Sequence, residues 1–144
     1  MIVFDTSVFL ILIRKEPLML RVQALLDRLA QSATPIGVPT IVLAELWVGS
    51  PVEARNQLLA SLPAGQVWLL PFDLACAHTC ADLVGKSRTI PPPLGTSNTR
   101  IKKDALIIAT AQAYKATHIY TQDTDFCSLS NRVGLGCSLV EHLP

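Results

Sequence analysis

Residues 119–126 read IYTQDTDF: a β-branched and aromatic run, a threonine, then two aspartates separated by one residue. An apolar strand that ends in carboxylates fits the carboxyl edge of a parallel sheet, where open α/β sheets place their ligands, above all where the strand order reverses. The chain opens the same way, with the strand-like residues 2–5, IVFD, ending in Asp5. If these two strands are neighbours, Asp5 and Asp123 converge on one crevice, with Asp125 close by. The competing reading is that each aspartate only caps the helix after its strand.

Outward from these two strands, strand-like and helix-like segments alternate, which predicts an α/β fold: a mainly parallel sheet of four or five strands, covered by helices on both faces. Ile2–Asp5 is the first strand, and Thr6 or Ser7 caps a helix running to about Lys15. Pro17 suits the first turn of a second helix, in which Leu18, Val22, Leu25, Leu26 and Leu29 recur at helical spacing opposite Arg21, Asp27 and Arg28. Ile36–Val38 is a short strand. Pro39 and Thr40 start a helix that Gly49 and Pro51 terminate, and another runs to Leu62. Val67–Leu70 is the third strand, and Asp73 caps a helix reaching about Lys86. Residues 86–103, KSRTIPPPLGTSNTRIKK, read as a long loop rich in proline and basic residues; 103–115 return to helix, His118–Thr121 is the fourth strand and Cys137–Val140 a fifth.

The bulk composition narrows the class of protein. A chain of 144 residues suits one domain with one core, so residues 1–144 are read as a single unit. Half the residues are hydrophobic and 16% are charged, yet no apolar run approaches the roughly 18 residues of a membrane span. Asp5 interrupts the first apolar stretch, and neither a basic segment nor a small-residue cleavage site flanks it, so a cytoplasmic protein is expected. Cys76, Cys80, Cys127 and Cys137 form no CxxC pair and sit among apolar neighbours, as buried reduced thiols do. Formal net charge is +1, so any attraction to nucleic acid must come from local patches.

Two further acids stand out. Glu45 lies within TIVLAELWVG, where every residue three or four positions away (Ile41, Val42, Val48, Gly49) lacks charge. Without a local partner it must reach solvent or meet a cation from elsewhere. Asp104 follows Lys102 and Lys103 and opens the helix DALIIATAQAY, where an acid at a helix N-terminus is the ordinary alternative. Four acids from four segments gathered in one crevice would repel one another unless a cation sat among them. Hard carboxylate oxygens without histidine or paired cysteine favour magnesium or manganese, as one or two ions. Such a centre activates water and stabilises charge on a phosphodiester.

The segments MIVFDTSVF, LAELWVG, KKDALIIATA and YTQDTDF, in that order and at compatible spacing over nearly the whole chain, resemble the PIN-domain family, particularly the VapC-like ribonuclease toxins of prokaryotic toxin–antitoxin pairs. The resemblance implies a three-layer α/β/α PIN-like fold and metal-dependent hydrolysis of RNA. It carries the metal-binding and catalytic role onto Asp5, Glu45, Asp104 and Asp123, suggests Asp125 as a further ligand, and makes Thr121 a supporting group. It also implies a homodimer neutralised by an antitoxin protein. The long loop 86–103 departs from the family's pattern and bears on substrate access.

Other readings fit less well. DTS resembles the aspartic-protease signature, but that fold is all-β and here helices follow. A magnesium-dependent phosphatase-like hydrolase of the haloacid-dehalogenase type needs an aspartate where Ser7 stands. A catalytically silent PIN-fold module that binds RNA or protein shares the fold and differs by lacking metal-dependent cleavage. The three histidines, His78, His118 and His142, have no nucleophile and acid at a recognisable spacing. Beside an acidic site the RNA backbone needs cations, and the candidates are Arg14, Lys15, Arg88, Arg100, Lys102 and Lys103; unpaired RNA is the expected substrate.

Overall fold

In the computed structural model, the structure describes residues 1–48, 51–60, 62–63, 65–87 and 98–143, without the side chains of residues 55, 59, 86, 87 and 98–102. The elements run β1 (Ile2–Phe4), α1 (Thr6–Arg14), α2 (Met19–Gln31), β2 (Ile36–Pro39), α3 (Thr40–Trp47), α4 (Val52–Ala60), β3 (Val67–Leu70), α5 (Leu74–Ser87), α6 (Asn98–Ala113), β4 (His118–Thr121), α7 (Thr124–Arg132), β5 (Gly136–Leu139) and a 3-10 turn, Val140–His142. The five strands form one sheet in the order β3-β2-β1-β4-β5, and every pairing is parallel. Helices flank this sheet, as strand–helix alternation requires.

The topology brings the two acid-bearing strands together. β1 and β4 are neighbours in register, with Phe4 opposite Tyr120, and the Asp5 amide donates to the Tyr120 carbonyl at 3.1 Å. The chain turns back at β1, sending β2 and β3 to one side and β4 and β5 to the other. The carboxyl ends of β1 and β4 therefore flank the reversal of strand order, where a crevice is expected.

The core is aliphatic and aromatic. Phe4, Phe9 and Phe126 are fully buried with Ile11, Ile36, Ile107, Ile108 and Ile119, and Phe4 meets Phe9 edge-on at 5.9 Å between centroids. On α2, Val22, Leu25, Leu26 and Leu29 are buried as their spacing predicts. β2 is buried at every residue, and its Gly37 is tightly enclosed: a Cβ there would lie 2.7 Å from Leu70 Cδ1 and 3.1 Å from Val3 Cγ2.

Several local expectations are corrected. The cap of α1 is Asp5 itself, not Thr6 or Ser7, and β1 ends one residue earlier to allow this. Pro17 lies in the turn before α2, closed by the Met19 amide on the Glu16 carbonyl at 2.9 Å, a position whose fixed φ suits proline. β5 sits one residue earlier than expected. The largest difference is α6, which begins at Asn98 rather than 103: once past the prolines and Gly95, the sequence contains no breaker, and arginine and lysine propagate helix well.

Candidate active site

Asp5 is the hub. It is 7% exposed. Its Oδ1 accepts from the Thr6 amide at 2.6 Å. Its Oδ2 accepts from the Ser7 hydroxyl at 2.9 Å, from the Thr121 hydroxyl at 2.9 Å and from the Ser7 amide at 3.4 Å. Those hydroxyls are fixed from behind by β4 and the residues after it. The Gln122 amide donates to Ser7 Oγ at 2.9 Å, and the Asp123 amide donates to Thr121 Oγ1 at 3.0 Å. Each hydroxyl has a single proton, and with an amide on the oxygen that proton is directed at Asp5. Burial pushes the Asp5 carboxyl above its ordinary value, against the hydrogen bonds from Ser7, Thr121 and Thr6, which pull it down.

Glu45 reaches the same place from α3. Its Oε2 accepts from the Thr6 hydroxyl at 2.5 Å, so Thr6 joins Asp5 through its amide and Glu45 through its side chain. Its Oε1 lies 2.8 Å from the ammonium of Lys103. Of the two outcomes open to Glu45, solvent or a cation from elsewhere, a cation is thus supplied by α6. This pairing, together with the adjacent charge of Asp104, raises the Lys103 pKa.

Asp104 is half-buried on α6, a helix in contact with α3. Because α6 starts at Asn98, Asp104 stands beyond its first turn, and the macrodipole no longer accounts for it. Asp123 caps α7: its Oδ1 accepts from the amides of Asp125 at 2.9 Å and Phe126 at 3.3 Å. Asp125, in the first turn of α7, is half-buried. Thr121 is completely buried.

The basic residues are distributed differently from expectation. Arg14 and Lys15 lie at the far end of α1 from Asp5, a separation of about 13 Å for nine residues of helix, and Arg14 is 3.9 Å from Glu16. Lys103 stands on Glu45. Arg88 and the side chains of Arg100 and Lys102 lie outside the described residues. Sequence reasoning missed the parts played by Thr6 and Ser7. Their hydroxyls directly follow an aspartate at a strand end, which was a usable signal, but it reads equally well as helix capping.

The donor set fits magnesium or manganese in its chemistry: carboxylate oxygens on Asp5 and Glu45 are bound to one threonine, and Glu45 has already drawn in a cation. Among the described residues, no group of three or more His, Cys, Asp or Glu side chains is placed to hold a metal ion.

The PIN domain family model matches residues 2–131. No curated protein sequence matches. Among solved structures, the chain is similar to VapBC2 from Rickettsia felis, bound to a DNA fragment from its promoter, at 24% identity and TM-score 0.71 over 96% of this chain and 98% of that one. It is similar to VapBC-5 of the VapBC family of toxin–antitoxin systems from Mycobacterium tuberculosis, at 27% identity and TM-score 0.53 over 95% and 94%. VapC20 from Mycobacterium tuberculosis, a sarcin–ricin loop cleaving toxin, aligns at 18% identity and TM-score 0.62 over 94% and 96%.

Proposed function

The chain belongs to the PIN domain family, and from that premise we propose that it is a divalent-metal-dependent endoribonuclease, the toxin of a toxin–antitoxin pair. The observation that carries the reading is the convergence of β1, α3 and β4 on one carboxylate. Asp5 receives Thr121 from β4 and, through Thr6, is joined to Glu45 from α3. A pure helix cap needs neither partner. The likeness to a sarcin–ricin loop cleaving toxin supports RNA as substrate, and the likeness to VapBC complexes supports a protein antitoxin.

Asp5, Glu45, Asp104 and Asp123 would hold magnesium or manganese, with Asp125 beside them. Such an ion supplies Lewis acidity toward a phosphate oxygen and a water acidic enough to attack it. The remaining work falls to the chain. Ser7 and Thr121 fix the orientation of the Asp5 carboxylate, and Thr6 sets the separation of Asp5 from Glu45. Preorganised groups of this kind avoid reorganisation during the reaction. The single domain acts as a homodimer in the cytoplasm; among the described residues no helix is long and apolar enough to cross a membrane.

Inducible expression in a bacterial host tests this. Wild-type chain should arrest growth and generate new RNA 5′ ends within minutes, and Asp5→Asn should do neither. Equal arrest by the Asp5→Asn chain would overturn the reading.

A further inference from the structure

The ion pair across α3 and α6 has a role of its own, resting on the metal-dependent reading above. Both oxygens of Glu45 are engaged: Oε2 by the Thr6 hydroxyl and Oε1 by the Lys103 ammonium. The Thr6 bond holds Glu45 toward Asp5, whereas the Lys103 bond places a positive charge where an ion would need an oxygen. Lys103 also precedes Asp104 in the chain, whose charge acts on its ammonium more weakly than that of Glu45. The Glu45 side chain is 22% exposed while that of Lys103 is 56% exposed, on a flexible four-carbon stem whose compact charge is readily rehydrated. Lys103 can therefore leave while Glu45 stays.

We propose that Lys103 is a tethered internal counter-cation that competes with the divalent ion for Glu45, so that metal uptake requires the Lys103–Glu45 pair to open. In the metal-poor state it relieves repulsion among the acids. On metal uptake its ammonium is released beside the site, where the RNA phosphate arrives.

Calorimetric titration of manganese into the full-length chain, without RNA, is the test. Wild type is compared with Lys103→Met and with Arg14→Met, which removes one exposed positive charge that neighbours Glu16 and not Glu45. An exposed ion pair is worth at most about a fivefold factor in an equilibrium, so Lys103→Met should bind manganese about two- to fivefold more tightly, and Arg14→Met should stay near wild type. In magnesium, the Lys103 ε-methylene NMR signals should move to the position of free lysine. Unchanged manganese affinity in Lys103→Met, or equal tightening in Arg14→Met, overturns the competition while leaving the metal site standing. If neither wild type nor Lys103→Met takes up manganese, the metal-dependent reading falls, and this inference with it.

Discussion

The Thr6 hydroxyl donates to Glu45 Oε2 at 2.5 Å across 39 residues of sequence. Because the amide of the same residue holds Asp5, one residue sets the spacing of two carboxylates. Thr6→Val keeps the branched shape and removes only that donor. The variant should lose about 1 kcal/mol, since a bond to a partly solvated charge is worth somewhat less than the buried value. Cleavage should fall at least tenfold with little change in RNA affinity. Equilibrium denaturation and single-turnover kinetics check both, and wild-type cleavage by Thr6→Val would remove the threonine from the site.

Thr121 is the other link, completely buried between Asp5 Oδ2 and the Asp123 amide. Thr121→Val preserves volume but deprives a half-buried amide of this acceptor and a buried carboxylate of one of its hydroxyl donors. The expected cost is about 1–3 kcal/mol, read as a lower urea midpoint at unchanged slope. Ser7→Ala should cost less, because Ser7 is only half-buried and the Gln122 amide from which it accepts is exposed. If Thr121→Val were as stable as wild type, the hydroxyl network would not be holding the strand ends.

The raised pKa of Asp5 gives a signed pH dependence. Burial dominates over the hydrogen bonds, so the folded chain holds this proton more tightly than the unfolded chain does. In chelator, the Asp5 contribution to stability is therefore best below the unfolded carboxylate value and declines as pH rises from there through the folded value. Asp5→Asn removes that decline. Its stability relative to wild type should improve as pH goes from about 4 to 7, measured by thermal unfolding in buffers of matched ionic strength. A relative loss over that interval would mean that the hydrogen bonds outweigh burial.

The strands were legible because their signals are local. β3 and β4 have the bounds that β-branched and aromatic runs predict, whereas the pairing of β1 with β4, on which the convergence of Asp5 and Asp123 depended, came only with the structure. Glu45 was legible as a group needing either solvent or a cation from elsewhere, because its helix offers none. What could not be read were bonds joining distant residues: Thr6 to Glu45, Thr121 to Asp5, and Lys103 to Glu45. A hydroxyl leaves no periodicity, and a lysine in a basic run looks like solvated surface until the helix carrying it is seen to start at Asn98. Trp47 shows the same limit. It lies on an apolar helix beside Glu45, and its sequence position does not say which way it faces; it packs against the core, and the exposed apolar residues include Val48, Val52, Trp68, Leu69 and Leu74.

A dimer remains the expected state. An edge strand with exposed apolar residues favours association, and Trp68 and Leu69, on opposite faces of β3, are both exposed at an edge of the sheet. Light scattering at micromolar concentration should give twice the chain mass of 15.6 kDa, and Trp68→Ser with Leu69→Ser should shift it toward the monomer. A wild-type chain that is monomeric throughout the micromolar range contradicts this.

The central claim is that Asp5, Glu45, Asp104 and Asp123 form one metal-dependent site for RNA hydrolysis. Its most direct measurement is single-turnover cleavage of an end-labelled, unstructured RNA by the purified chain, in manganese and in chelator. Wild type is compared with Asp5→Asn, Glu45→Gln, Asp104→Asn and Asp123→Asn, each confirmed folded by circular dichroism. The account predicts cleavage by wild type in manganese alone, and at least a hundredfold loss in every variant, the order of effect of removing one electrostatic group from an active site. Cleavage that persists in chelator, or that survives in any folded variant at the wild-type rate, would contradict it.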